Sequence, residues 1–206
     1  MQDNLVRAPQ APGDTALRAM FAARKQVFVD LLGWDVPVLA GQYEVDQYDT
    51  ADAEYLILMD RDGRHRASTR LLRTDGPHLL GEYYAHLCDG PPPHGPLVRE
   101  ITRFCLDRNQ SAAERRSARN QLVTALAEHA LRCGITDYIG VAEPGWLCQI
   151  VEFGWDCRTL GSALEIGTGL GALHIRIDDK TLAGLRERGI YQPAELRLTA
   201  GRGLEQ

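Results

Sequence analysis

Apolar residues recur along this chain in two periods, and the points where one gives way to the other mark its elements. Between residues 14 and 33 the positions Leu17, Phe21, Phe28 and Leu31 share one stripe of a helix. The seven-residue step from Leu17 lands on Arg24, so a charge stands where the stripe requires an apolar side chain. Residues 54–60 are a continuous apolar run, and residues 64–73 follow across Asp62-Gly63, a two-residue hairpin signal; the pair is expected to be antiparallel. Residues 74–96 contain Gly76-Pro77 and Gly90-Pro91-Pro92-Pro93 and read as a long excursion with a short helix around 79–87. The chain returns in residues 97–106, a central-strand pattern.

Ser111 and Glu114 have the spacing of a capping box, opening a helix with Leu122, Leu126, Ala130 and Cys133 on one face up to Gly134. A strand over 135–142, a helix opened by Pro144 and ended by Gly154, strands over 155–160 and 172–177 and a last helix after Asp178-Asp179 complete the order. That order predicts an α/β fold with a mixed, mostly antiparallel sheet and helices on both faces. At 206 residues the chain suits one domain, residues 1–206, with 1–13 and about 192–206 as peripheral tails. No internal repeat is present.

Composition narrows the function classes. With 44% hydrophobic and 25% charged residues the chain resembles an ordinary globular protein, and its net charge of −5 argues against a nucleic-acid partner, which needs a broad basic face. Residues 1–13 have neither a basic n-region nor an apolar h-region, and no apolar run reaches the length of a membrane span, so a cytoplasmic protein is expected. Five cysteines and six histidines lack paired ligand spacing; no metal is expected.

The candidate chemistry starts at Arg24. A guanidinium cannot neutralise itself by losing a proton, so a buried one must meet carboxylates or backbone oxygens. Glu44, Asp46 and Asp49, in a polar stretch read as an ordered loop, are candidates, while Arg70 and Glu100 interrupt strand-like apolar runs. A buried ion-pair network that only fixes the fold would have the same look. Such networks gain little over apolar packing, however, so several charges in one small domain point to a site.

Arg24 with Phe28 and Trp34, the loop of Glu44, Asp46 and Asp49, Arg70-Leu71-Leu72, and Glu100 with Arg103 and Phe104 together resemble the acyl-homoserine-lactone synthases, the autoinducer synthases of bacterial quorum sensing. The resemblance spans about residues 16–160. It implies an N-acyltransferase-like three-layer α-β-α sandwich in which S-adenosylmethionine meets an acyl thioester of acyl carrier protein or coenzyme A. The amine attacks the thioester, the homoserine portion closes to a lactone, and methylthioadenosine leaves. S-adenosylmethionine is then a substrate, and no cofactor is expected.

The residues fit that scheme chemically. An acidic loop would attract the sulfonium and ammonium, while Phe28 and Trp34 would lie against the cation or the adenine. The substrate carboxylate needs a cation from Arg24, Arg70 or Arg103, a choice the sequence leaves open. Glu100 is expected as the base that removes the amine proton, directly or through a water, with Arg103 and Glu44 completing the catalytic set. Trp146, Leu147 and Ile150, with Val151, would line an acyl tunnel, although core packing explains them equally well. If Trp146 enters that tunnel, a short, branched or aryl acyl group is favoured over a long chain. Arg115, Arg116 and Arg119 would receive the carrier protein or the phosphates of coenzyme A, or are simply a solvated helix face.

Strict alternation would place Glu100 and Arg103 on opposite faces of their strand, so a bulge is expected between them if both serve one pocket, splaying the next strand. A regular ladder through Ile101 and Thr102 would speak against it. Arg99 and Arg73 depart from the family pattern, where an aromatic and a proline are common. The glycine-rich loop of acetyl-coenzyme A transferases is missing after Leu106, which favours the synthase over an N-acyltransferase acting on another small amine. A non-catalytic ligand-sensing relative is the third reading.

Overall fold

The opening stripe is α-helical only as far as its arginine. In the computed structural model, which describes residues 12–162, 169–194 and 197–202, α1 spans Pro12–Arg24 and the next turn, Lys25–Val29, is π-helical. There Asp30 N donates to Lys25 O at 3.1 Å and Leu32 N to Val27 O at 3.0 Å, each across five residues. The helix expected over 14–33 is therefore interrupted, and this wide turn, a form that recurs at functional sites, presents Phe28. The stretch read as irregular contains a small hairpin, β1 (Val38–Leu39) with β2 (Tyr43–Glu44). Its turn has positive φ at Ala40 (51°) and Gly41 (68°), the geometry that matches strand twist.

The remaining elements follow the sequence pattern closely. They are β3 (Glu54–Met59), β4 (His65–Arg73), α2 (Leu79–Tyr83) with a 3-10 turn at Ala85–Leu87, and β5 (Val98–Leu106). After them come α3 (Ala112–Cys133), β6 (Asp137–Ala142), α4 (Pro144–Val151), β7 (Asp156–Thr159), β8 (Gly171–Arg176), α5 (Thr181–Glu187) and β9 (Arg197–Arg202). The capping box at Ser111 and Glu114 is formed, and Gly134 ends α3 at φ 71°. Strand β9 corrects one expectation: residues 197–202, read as tail, pair antiparallel with β3 along the sheet edge. Residues 1–11 and 203–206, also read as tails, lie outside the described residues.

The larger sheet has the order β7-β8-β6-β5-β4-β3-β9, and only β5 and β6 run parallel. Alternation sends Leu56 and Leu58 to the side of α3, α4 and α5, while Tyr55, Ile57 and Met59 pack with α1 on the other. Leu80 and Leu87, from α2 and its 3-10 turn, cover Val98, Ile139 and Ala172. The result is three layers.

Strand β5 carries the irregularity that matters. Its ladder with β4 is regular at Leu72↔Glu100, Leu71↔Ile101 and Arg70↔Thr102, then resumes at Ser68↔Cys105 with one extra residue on β5. The regular pairs at Ile101 and Thr102 rule out a bulge between Glu100 and Arg103. The extra residue is accommodated one step later, by Arg103 itself, in the left-handed region at φ 50°. Arg103 is thereby brought to the face of Glu100 and Thr102, a rare backbone state for a residue with a Cβ. Pairing of β5 with β6 ends at Ile101↔Gly140, where a Cβ on the glycine would stand 3.1 Å from the Ile101 carbonyl oxygen. Beyond that rung the strands part.

Candidate active site

Arg24, fully enclosed at the end of α1, has all its nitrogens engaged. Its Nε donates to Glu44 Oε2 at 2.5 Å, and Nη1 and Nη2 donate to the two oxygens of Asp49, each at 2.8 Å. On β4, Arg70 donates from Nη1 and Nη2 to Asp46 at 2.6 and 3.1 Å and from Nε to Thr102 Oγ1 at 3.0 Å, with Nη1 also 2.8 Å from Asp49. On β5, Arg103 donates from Nε to both Glu44 oxygens at 3.2 Å, and from Nη2 to Glu44 at 2.9 Å and Asp46 at 2.7 Å. Three guanidiniums from three elements thus converge on three carboxylates of one short segment, as the sequence suggested.

Burial works against charge on Asp49, yet the Arg24 guanidinium, with help from Arg70, holds its carboxyl well below the usual range. Burial likewise opposes charge on Arg24 and Arg70, and their carboxylate partners outweigh it. Removing one member of such a set leaves an uncompensated buried charge, at a cost of about 3–5 kcal/mol. Two hydroxyls complete it. Tyr55 donates to Asp49 Oδ1 at 2.6 Å, and Thr102 accepts from Arg70. Neither stood out in the sequence, because Tyr55 sits inside an apolar run and Thr102 in a strand where threonine is common.

Several sequence expectations are corrected by position. Glu44 and Asp46 do not offer free charge to a cationic ligand, because both are engaged by arginines. Glu44 holds Arg24 and Arg103 rather than facing open space. Glu100 is not placed as a base in the cavity. Its two oxygens accept from the Leu79 and Leu80 backbone N–H groups at 2.7 and 2.8 Å, and it does not border the cavity described below. Burial raises its carboxyl above the ordinary value, opposed by those two amides.

A cavity of about 810 Å³ crosses the sheet where β5 and β6 part. On the α1 side it is bordered by Phe28, Trp34 and Arg103. The two rings stack at 4.7 Å between centroids, 23° apart, and the Arg103 guanidinium carbon lies 5.7 Å from each. Trp34 is 40% exposed, leaving ring surface for a ligand. Arg103 Nη1 has no partner among the described residues, whereas every nitrogen of Arg24 and Arg70 is engaged.

On the other side of the sheet the cavity is apolar. Trp146 and Ile150, one helical turn apart on α4, line it with Phe104, Phe153 and Trp155. Trp146 meets Phe104 at 5.3 Å and Phe153 at 5.7 Å. Leu147, expected beside them, is turned into the core between sheet and helix and does not line the cavity, and Val151 is exposed. Arg115, Arg116 and Arg119 border the cavity at the N-terminal end of α3. Arg119 is tied to Asn120 at 2.9 Å and lies 5.1 Å over the Phe153 ring. Among the described residues no helix is long and apolar enough to cross a membrane.

Comparison with known proteins agrees with this geometry. A family model described as autoinducer synthase matches residues 11–183. The acyl-homoserine-lactone synthase of Rhizobium etli is 33% identical over 198 residues, covering 93% of this chain and 86% of that protein. The coenzyme A-dependent acyl-homoserine lactone synthase BjaI, solved with S-adenosylmethionine and isopentyl-coenzyme A, superposes with a TM-score of 0.77 at 27% identity over 88% of this chain and 85% of that one. A putative N-acetyltransferase from Lactobacillus plantarum shares the fold, with a TM-score of 0.53 at 23% identity over 82% of this chain and 94% of that one.

Proposed function

The chain belongs to the autoinducer synthase family and is an acyltransferase, and from that premise we propose that it makes an N-acyl-homoserine lactone from S-adenosylmethionine and an acyl thioester. The amine nitrogen attacks the thioester carbonyl, the carbon–sulfur bond breaks and the thiol leaves. The carboxylate oxygen then attacks the carbon next to the sulfonium, closing the lactone and releasing neutral methylthioadenosine. S-adenosylmethionine is consumed, so it acts as substrate and not as cofactor. The cytoplasm, where both substrates are made, is the fitting compartment.

The observation that carries this reading is the free edge of Arg103. Its Nη1 is available at the cavity beside the Phe28–Trp34 stack, suited to the substrate carboxylate, while the rings take the adenine or sulfonium. Arg24 and Arg70 hold the carboxylates that aim it. An α-amino group has a pKa of about 7.7–8.0, so part of the substrate amine is neutral at physiological pH and its proton passes to water in the cavity. The carbonyl lies where β5 and β6 separate, and backbone N–H groups there receive the developing oxyanion. The acyl group enters the apolar half, and Arg115, Arg116 and Arg119 meet the phosphate of coenzyme A or of a carrier-bound pantetheine.

Incubating the protein with S-adenosylmethionine and a panel of coenzyme A and carrier-protein thioesters, with lactones and methylthioadenosine read by mass spectrometry, tests this reading. Both products are expected, in equal amounts. Thiol release without S-adenosylmethionine would indicate a different amine.

A further inference from the structure

A hydrogen bond joins the excursion between β4 and β5 to the carboxylate segment, and no role given above uses it. The hydroxyl of Tyr48, between Asp46 and Asp49, donates to the Glu82 carboxylate on α2. Tyr48 is buried, its N–H donates to Asp46 Oδ1 at 2.9 Å, and the Arg70 guanidinium carbon lies 5.7 Å from its ring centroid. Burial, and then Glu82, raise the pKa of the phenol, so it remains a donor at physiological pH. At the other end, α2 is five residues long, too short to persist unaided, and Glu100 holds its first amides.

We propose that Glu100, α2, Glu82 and Tyr48 form a strut that sets the position of residues 44–49, and through them the free edge of Arg103, so that Tyr48 and Glu82 are positioning residues for the S-adenosylmethionine side of the site. This rests on the function proposed above. Asp46 is where the strut meets the arginines: it accepts from Tyr48 N, Arg70 and Arg103. The arginines of α3 lie on the opposite side of the sheet and touch none of these groups. The strut therefore acts on one substrate and not on the other.

The test uses Tyr48→Phe, Glu82→Ala and the double variant, with steady-state kinetics in both substrates and hydrogen exchange of the amides of residues 44–49 in the free protein. Each single variant is expected to raise KM for S-adenosylmethionine about tenfold, the scale of one hydrogen bond to a charged group, with KM for the thioester unchanged. The double variant should do no more than Tyr48→Phe alone, because each single variant already removes the Tyr48–Glu82 contact. The amides should exchange faster while the melting temperature stays near that of the parent, since Glu82 is exposed. Glu100→Gln should give the same KM effect and keep the pH profile of kcat, whereas a base would take one limb with it. Equal increases in both KM values, multiplicative effects in the double variant, or unchanged exchange would overturn the strut. A parent protein that never consumes S-adenosylmethionine would instead overturn the proposed function, and the exchange measurement, which needs no substrate, would still decide on the strut.

Discussion

Arg70 and Thr102 are cross-strand partners on the last regular rung before the bulge of β5, and Arg70 Nε donates to Thr102 Oγ1 at 3.0 Å. The threonine hydroxyl supplies the one acceptor that fixes the Arg70 fork while leaving both Nη atoms for carboxylates. Thr102→Val keeps the shape and removes that acceptor, stranding a donor on a side chain that is 1% exposed. Chemical denaturation is expected to show a loss of about 1–3 kcal/mol, the cost of an unsatisfied buried donor. An unchanged midpoint would mean that Arg70 finds another partner.

Acid should weaken the fold through two carboxylates in particular. Glu54 meets His129 at 3.3 Å and Arg99 at 3.0 Å, and the His129 contact first, then Arg99, hold its pKa down at about 2 against burial. Asp49 is depressed as well. A depressed folded pKa contributes stability above the unfolded value, lost as pH falls through the folded one. For Glu54 the window runs from 4.5 down to about 2. Glu100, raised by burial, has the opposite sign: its contribution is complete below its unfolded value and declines as pH rises. Glu54→Gln should therefore flatten the acid side of the stability profile. A profile as steep as the parent's would assign the acid sensitivity to Asp49 and its neighbours alone.

Two neighbours on α4 should behave differently. Trp146 lines the cavity, so Trp146→Ala is expected to shift product toward longer acyl chains when thioesters compete in a mixture. Leu147 is buried outside the cavity, so Leu147→Ala should cost about 2–5 kcal/mol in stability and leave the chain-length distribution unchanged. Reversal of the two outcomes would place the acyl group elsewhere.

The elements were legible wherever local chemistry decides them. The capping box at Ser111, the Asp62-Gly63 hairpin and the arginine out of register in α1 were all read from spacing, because each is set by groups a few residues apart. The convergence of Arg24, Arg70 and Arg103 on residues 44–49 was legible too, since buried guanidiniums require carboxylates and few were at hand. What was not legible depends on long-range geometry. Arg103 occupies the bulge because of strand register, and Glu100 turns to α2 because the excursion folds back over it. Residues 197–202 become a strand only because β3 offers an unpaired edge. The two departures from the family pattern lie outside the site for the same kind of reason: Arg99 pairs with Glu54, and Arg73 pairs with Asp75 at the surface.

The most direct test is calorimetric titration of S-adenosylmethionine into the parent protein and into Arg103→Lys. Lysine keeps the positive charge and loses the fork, so it can hold Glu44 or a substrate carboxylate but not both. Affinity for S-adenosylmethionine is expected to fall about tenfold to a hundredfold, the effect of 1.4 to about 3 kcal/mol, while affinity for an acyl thioester stays the same. Unchanged affinity for S-adenosylmethionine would contradict the assignment of Arg103 as the cation that receives it.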